Sequence, residues 1–437
     1  RGRSAVPIRL SCGGSGERHS SGKPSLGMQC RCGRPCAIVA VVVSAVMHAA
    51  VVTAGRMSTQ ALHRTLPLPV QHWMRDSGAL GVAVDVATLA SVGATIPAQP
   101  AILTSLVRAT REAELSVSYG PLAQHRVDIF HSRTPPGSGE GAAPPVVLFV
   151  HGGAWGSGSR LIYRLAGHRL HLDALTEAGC TVAVVGYRRY PRADIPAQVD
   201  DIERVVEWAA QRWPRSDVHI VGHSSGAHVS VSAALRRAQR GQAPLCASVV
   251  GVAGVYDIAR HYEFEARRGV HEVSPMKPAA GSFEGFAAAS PALQAQSMGA
   301  QAAALLPHVA LIHGTKDSTV PHASSMQMAR ALRSVGAPSV CVRVLEDAGH
   351  ADLILELSGL MEARSRKDLA AEEGWDAEAG DGEGEVRSMH TLEAIREALL
   401  LASSSQGARA GARGSQPGGR TSAGEQTDGV AMMRSRL

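Results

Sequence analysis

Six short apolar runs recur along the middle of this 437-residue chain: VVLFV (146–150), TVAVV (181–185), VHIVG (218–222), ASVVGV (247–252), HVALIH (308–313) and VCVRVL (340–345). Runs this short and this continuously apolar suit strands covered on both faces. Between them lie stretches of helical spacing at 161–178, 195–213 (stopped by Pro214), 225–240 and 322–336. The alternation predicts an α/β fold: a mostly parallel central sheet flanked by helices. Ahead of it, LSVSY (115–119) and HRVDIF (125–130) alternate as the two strands of a hairpin. Residues 255–305 hold Gly, Pro and scattered aromatics but no strand pattern, and read as a lid-like excursion over one end of the sheet.

The flanks divide the rest. Residues 1–56 form a basic leader with an apolar segment, 57–114 a linker and helical lead-in, and 115–360 the catalytic domain. Residues 361–402 hold an acidic, Gly-rich insertion and a C-terminal helix, TLEAIREALLLA, and 403–437 a Ser/Gly/Arg-rich tail expected to be disordered. The formal net charge is +6, and the first 35 residues carry seven basic side chains against Glu17 alone. The basic excess therefore belongs to the leader and not to a nucleic-acid-binding face. Cys12, Cys30, Cys32 and Cys36 also lie there, while Cys180, Cys246 and Cys341 sit in or beside apolar segments as expected for buried free thiols.

The run AIVAVVVSAVMHAAVVTA (37–54) carries no formal charge. It reads as a signal or a membrane anchor, slightly short of the roughly 20 residues of a spanning helix. The first Met is Met28, so residues 1–27 are expected to be an artefact of the gene boundary or a fragment end. Basic residues ahead of the run favour an N-inside orientation, which would place the following domain in a lumen or outside the cell.

The chemistry sits at strand ends. Gly222-His223-Ser224-Ser225-Gly226 is G-x-S-x-G between a strand and a helix. That turn holds the central serine out at the strand's carboxyl end, against a helix N-terminus. Ser224 is the candidate nucleophile. Attack on a carbonyl generates an oxyanion that needs fixed N–H donors. HGG (151–153) follows an earlier strand of the same sheet, so the amides of Gly152, Gly153 and Ser225 are the expected oxyanion hole. A serine also needs a base and an orienting acid, in the order Ser, Asp/Glu, His on this architecture. Asp317 in IHGTKDSTVP and His350 in LEDAGHADL follow late strands and fill those places. Glu346, Asp347 and Asp352 flank His350 too closely in sequence to reach its far ring nitrogen. His223 and His228 are expected to pack or hydrogen-bond, His151 to orient the oxyanion loop, and Trp155 and Tyr256 to touch substrate. Met276, Phe283, Phe286, Tyr262 and Phe264 offer an apolar lining for a groove. No H-E-x-x-H, phosphate loop or cofactor fingerprint occurs, so neither metal nor cofactor is expected.

HGGAWGSGSR, GYRRYP, GHSSGAH, GVYDIARHYEFEARRGV, LLPHVALIHGTKDSTVP and GAPSVCVRVLEDAGHADL together resemble the α/β-hydrolase superfamily, in its carboxylesterase branch with an HGG-type oxyanion loop. They are most similar to the isoprenylcysteine α-carbonyl methylesterase family, over roughly residues 115–360. The resemblance implies an α/β-hydrolase fold and hydrolysis of the methyl ester on a prenylated C-terminal cysteine. It also implies endomembranes (endoplasmic reticulum or Golgi) as the location, a secreted or soluble lumenal protein being the alternative. It gives Ser224, Asp317 and His350 as the triad. GHSSGAH departs from the GQSAGAH of the plant members. His before Ser also resembles kynurenine formamidases, which keeps an arylformamide, or a general short-chain ester, open as the substrate. A non-catalytic binding protein on the same fold is the reading from another class.

Overall fold

The computed structural model describes residues 67–95, 110–133, 143–166, 175–177, 179–355, 385–387, 391, 393–399 and 402. The leader, its apolar segment 37–54, most of the acidic insertion and the tail lie outside the described residues.

Among the described residues nine strands form one sheet: β1 (Glu114–Ser118), β2 (Arg126–Phe130), β3 (Val146–Val150), β4 (Thr181–Val185), β5 (Val218–His223), β6 (Ser248–Val252), β7 (His308–Gly314), β8 (Val340–Leu345) and β9 (Glu385–Arg387). Their order is β1-β2-β4-β3-β5-β6-β7-β8-β9. β2 runs antiparallel to both β1 and β4, and every other pairing is parallel. The six apolar runs are β3 to β8, within a residue of the sequence reading. β9 has no counterpart there, because EVR at the end of an acidic stretch carries no apolar signal.

Every residue of β3, β4, β5, β6 and β7 is buried. Alternate side chains enter two separate cores. Val146, Leu148 and Val150 join one core with Ile202, Leu235 and Leu332, whereas Val147 and Phe149 join the other with Leu353, Ile395 and Leu399. A strand apolar on both faces is thus the sequence imprint of helices on both sides.

The helices used below are α1 (Leu68–Asp76), α2 (Ala79–Thr95), α3 (Arg160–Ala166), α4 (Ile195–Arg212) and α5 (Ser225–Gln239). α4 starts where Asp194 caps the amide of Ala197 with Pro at the next positions, and it stops just ahead of Pro214. Its buried face, Ile195, Val199, Ile202, Val205, Val206 and Ala209, repeats at helical spacing. α1 and α2 are the helical lead-in. The excursion 255–305 holds the helices Ile258–Arg267, Met276–Ala279, Pro291–Gln296 and Ala300–Ala303 and no strand. Cys180 and Cys246 are buried free thiols, and Cys341 is half-buried and free. No helix among the described residues is long and apolar enough to cross a membrane.

Register decides what meets at the sheet's carboxyl edge. Val150 pairs with Gly222, Gly222 with Gly251, Val252 with Ile312 and Gly314 with Leu345. The loops that leave β3, β5, β7 and β8 therefore emerge side by side. Leu148 lies at 0 % exposure in the central strand, so Leu148→Ala should cost about 2–5 kcal/mol in urea unfolding, the range for a buried leucine that leaves a cavity.

Candidate active site

Ser224 sits between β5 and α5 at φ 54°, ψ −122°. A non-glycine residue rarely holds that backbone, and only a tight strand–helix turn imposes it. The turn needs room. A Cβ at Gly226 would come within 2.3 Å of the Val150 carbonyl oxygen, and one at Gly152 within 2.9 Å of Ser224 Cβ. The two glycines let the nucleophile turn and the loop after β3 touch backbone to backbone.

His350 Nδ1 lies 2.7 Å from Asp317 Oδ2. Asp317 Oδ1 accepts the amides of Thr319 (2.9 Å) and Val320 (2.8 Å), and its Oδ2 also meets His313 Nε2 at 3.2 Å. Burial pushes this carboxyl up, but the hydrogen bonds from His313 and His350 prevail and hold it well below the usual carboxylate range. It is an anion aimed at His350. Two of the flanking carboxylates are occupied: Asp352 accepts the Gly349 amide at 2.8 Å, and Asp347 pairs with Lys316 at 2.9 Å. No hydrogen bond joins Ser224 Oγ to His350 among the described residues; such contacts commonly tighten only with substrate bound.

Beside Ser224, the amides of Gly153 and Ser225 have no hydrogen-bond partner among the described residues. Gly152 departs from expectation. Its amide donates to the Tyr163 hydroxyl at 3.0 Å, so it is already used. His151 does orient this loop: its Nδ1–H donates to the Gly152 carbonyl at 2.9 Å, and burial pushes its pKa down to about 3.

Trp155 and Tyr256 are corrected outright. Both are core residues, 1 % and 0 % exposed, with no surface for a substrate. Trp155 Nε1 donates to His228 Nδ1 at 3.2 Å, and His228 Nε2 donates on to the Ala289 carbonyl at 2.7 Å. Met276, Phe264 and Phe286 are buried as well. Of the aromatics in the excursion, Phe283 is exposed and Tyr262 half-buried, packed edge to face with ring centres 5.2 Å apart.

Four residues that the sequence reading passed over shape the site. His313 supports Asp317 and meets Ser325 Oγ at 2.8 Å. The spacing His313-x-x-x-Asp317 was a visible signal, masked by its place inside an apolar strand. Tyr163 and Tyr187, whose hydroxyl donates to the His151 carbonyl at 2.8 Å, act across long sequence separations and leave no local trace. Asp85 of α2 takes the Gly158 amide and Arg189, each at 2.6 Å, tying the lead-in helices to the loop after β3. No cluster of His, Cys, Asp or Glu among the described residues could hold a metal.

A mostly parallel sheet with β2 reversed, a strained serine at the strand–helix elbow and an Asp–His pair on later loops define a class by architecture: the chain has the α/β-hydrolase fold. More narrowly, residues 134–332 match the BD-FAE family. A probable isoprenylcysteine α-carbonyl methylesterase of Oryza sativa is 28% identical over 260 residues, covering 56% of this chain and 60% of that protein. Esterase LipQ of Mycobacterium tuberculosis is 28% identical over 274 residues, covering 58% of this chain and 61% of its own length. The chain thus spans about three fifths of the length of these relatives. The solved structure of a phosphonate-inhibited esterase B from Lactobacillus rhamnosis aligns with TM-score 0.48 and 17% identity, over 74% of this chain and 98% of that one.

Burial favours the neutral form of six described histidines, His322 among them. It pushes His151 to about 3 and His219, His228 and His308 to about 4, and with His350 nearby it holds His223 well below 6.5. Each folded pKa lies below the unfolded one. Their contribution to stability is therefore complete above the unfolded value of about 6.5 and lost as pH falls from there toward the folded values. Urea unfolding between pH 8 and 5 should show stability flat at the top and falling steeply below about 6.5. His228→Gln should remove about one proton from the uptake on unfolding near pH 5.

Proposed function

We propose that this chain is a serine hydrolase of carboxylic esters. The observation that carries the reading is the Asp317–His350 hydrogen bond of 2.7 Å at the sheet edge where the strained Ser224 emerges. In the proposed cycle His350 Nε2 takes the Ser224 proton as Oγ attacks the ester carbonyl. Asp317 holds Nδ1–H in place and stabilises the imidazolium. The amides of Gly153 and Ser225 receive the oxyanion. Collapse of the tetrahedral species expels the alcohol, with His350 returning the proton, and leaves an acyl-Ser224. Water, deprotonated by His350, then releases the acid.

For the substrate we favour the methyl ester of a prenylated C-terminal cysteine, processed at endomembranes reached through the segment 37–54. Similarity to relatives named as isoprenylcysteine methylesterases supports this choice of substrate. A short-chain ester is the second reading. It is favoured by the burial of Met276, Phe264 and Phe286, which withdraws most of the apolar lining expected for a prenyl groove.

The test is a panel of farnesylcysteine methyl ester, N-formylkynurenine and a short p-nitrophenyl ester, run on the full chain and on Ser224→Ala. Ser224→Ala should lose about 10⁴-fold or more in kcat. Preference for the prenyl ester supports the first substrate, preference for the p-nitrophenyl ester the second. Preference for the formamide overturns both substrates and keeps the triad. Turnover unchanged by Ser224→Ala overturns the enzyme assignment.

A further inference from the structure

Two side chains outside the triad connect three active-site loops. The Gly152 amide donates to Tyr163 Oη at 3.0 Å, Tyr163 Oη lies 2.9 Å from His223 Nδ1, and His223 Nε2 lies 3.3 Å from the His350 carbonyl oxygen. Tyr163 comes from α3, His223 from the end of β5, Gly152 from the loop after β3 and His350 from the loop after β8.

The direction of every bond is forced. A carbonyl only accepts, so His223 Nε2 carries a proton. Burial, reinforced by His350, keeps the ring neutral, so Nδ1 is bare and accepts the Tyr163 hydroxyl proton. The lone pair of that hydroxyl is left for the Gly152 amide. Each polar atom of the chain is used once, without conflict.

From this we propose that Tyr163 and His223 are positioning residues that lock the oxyanion loop to the loop carrying His350. The proposal rests on the esterase reading above. Its mechanical basis is peptide planarity. The Gly152 carbonyl and the Gly153 N–H belong to one trans peptide group and point in opposite directions. His151 binds that carbonyl and Tyr163 binds the amide on the other side of Gly152. Both peptide planes at Gly152 are therefore clamped, and the unpartnered Gly153 N–H is aimed. At the far end, His223 holds the backbone of His350 and lies tilted beside its ring, with centroids 4.8 Å apart. The donor for the oxyanion and the general base are thus set against each other by one relay. Such alignment matters most in the transition state, so its loss falls on kcat more than on KM.

The experiment uses the full chain and an ester whose turnover depends on Ser224. Tyr163→Phe deletes one oxygen and keeps the ring. It should lower kcat by about tenfold or more while KM stays within about twofold, a geometric error at a reacting centre costing up to about 10²-fold. His223→Asn keeps an acceptor near the Nδ1 position, and His223→Phe removes both bonds. Tyr163→Phe should therefore cost less in the His223→Phe background, where only the hydroxyl's bond from the Gly152 amide is left to lose, than in the His223→Asn background. That coupling would not arise from independent packing roles. If His223→Phe does not fold, His223→Gln replaces it, since its amide can still reach the His350 carbonyl but offers Tyr163 no acceptor at Nδ1. Equal cost in both backgrounds, a kcat within twofold of the parent for Tyr163→Phe, or a loss confined to KM overturns the relay and leaves the esterase reading intact. Turnover that survives Ser224→Ala overturns both.

Discussion

The site depends on one close approach: the loop after β3 lies against the elbow after β5. Parallel pairing in the register Val150 to Gly222 brings the two strand ends level. Gly152 and Gly226 then remove the side chains that would keep the two backbones apart. A methyl group at either position would push the nucleophile turn away from the strand that supplies the oxyanion donors. Everything else at the edge is arranged around that contact. Tyr187 and Tyr163 hold the β3 end from behind, and α2 reaches in through Asp85 from before the sheet begins.

Polarity at this edge is handled by neutral histidines and one anion. His151, His223 and His228 are buried; His223 and His228 spend both ring nitrogens on defined partners, and His151 spends Nδ1 on the Gly152 carbonyl. Asp317 is the exception: four donors converge on its two oxygens. The negative charge is thereby fixed beside His350, where an imidazolium would form, and the neutral rings add no positive charge to compete with it.

Much of this was legible in the sequence. Continuous apolar runs gave the strands because burial on both faces is written residue by residue. The G-x-S-x-G elbow, Asp317 and His350 were legible because a parallel sheet sends all such loops to one edge. What failed was judgement of depth. Trp155 and Tyr256 stand next to site motifs, yet both turn inward, and adjacency in sequence does not report which way a loop side chain points. Gly152 was read as an oxyanion donor since its competitor, Tyr163, acts from a helix eleven residues on. Asp85 is invisible for the same reason at greater range.

β9 bears on a different matter, the behaviour of the molecule among its own copies. β8, VCVRVL, is an apolar strand whose outer edge would otherwise present free N–H and C=O groups. Glu385–Arg387 pairs with Arg343–Leu345 and covers that edge along half its length. Among the described residues, the strand that ends the sheet is then three residues long. A very short border strand is a poor template for strand addition. The end of the acidic segment thus serves the sheet as a guard against edge-to-edge aggregation.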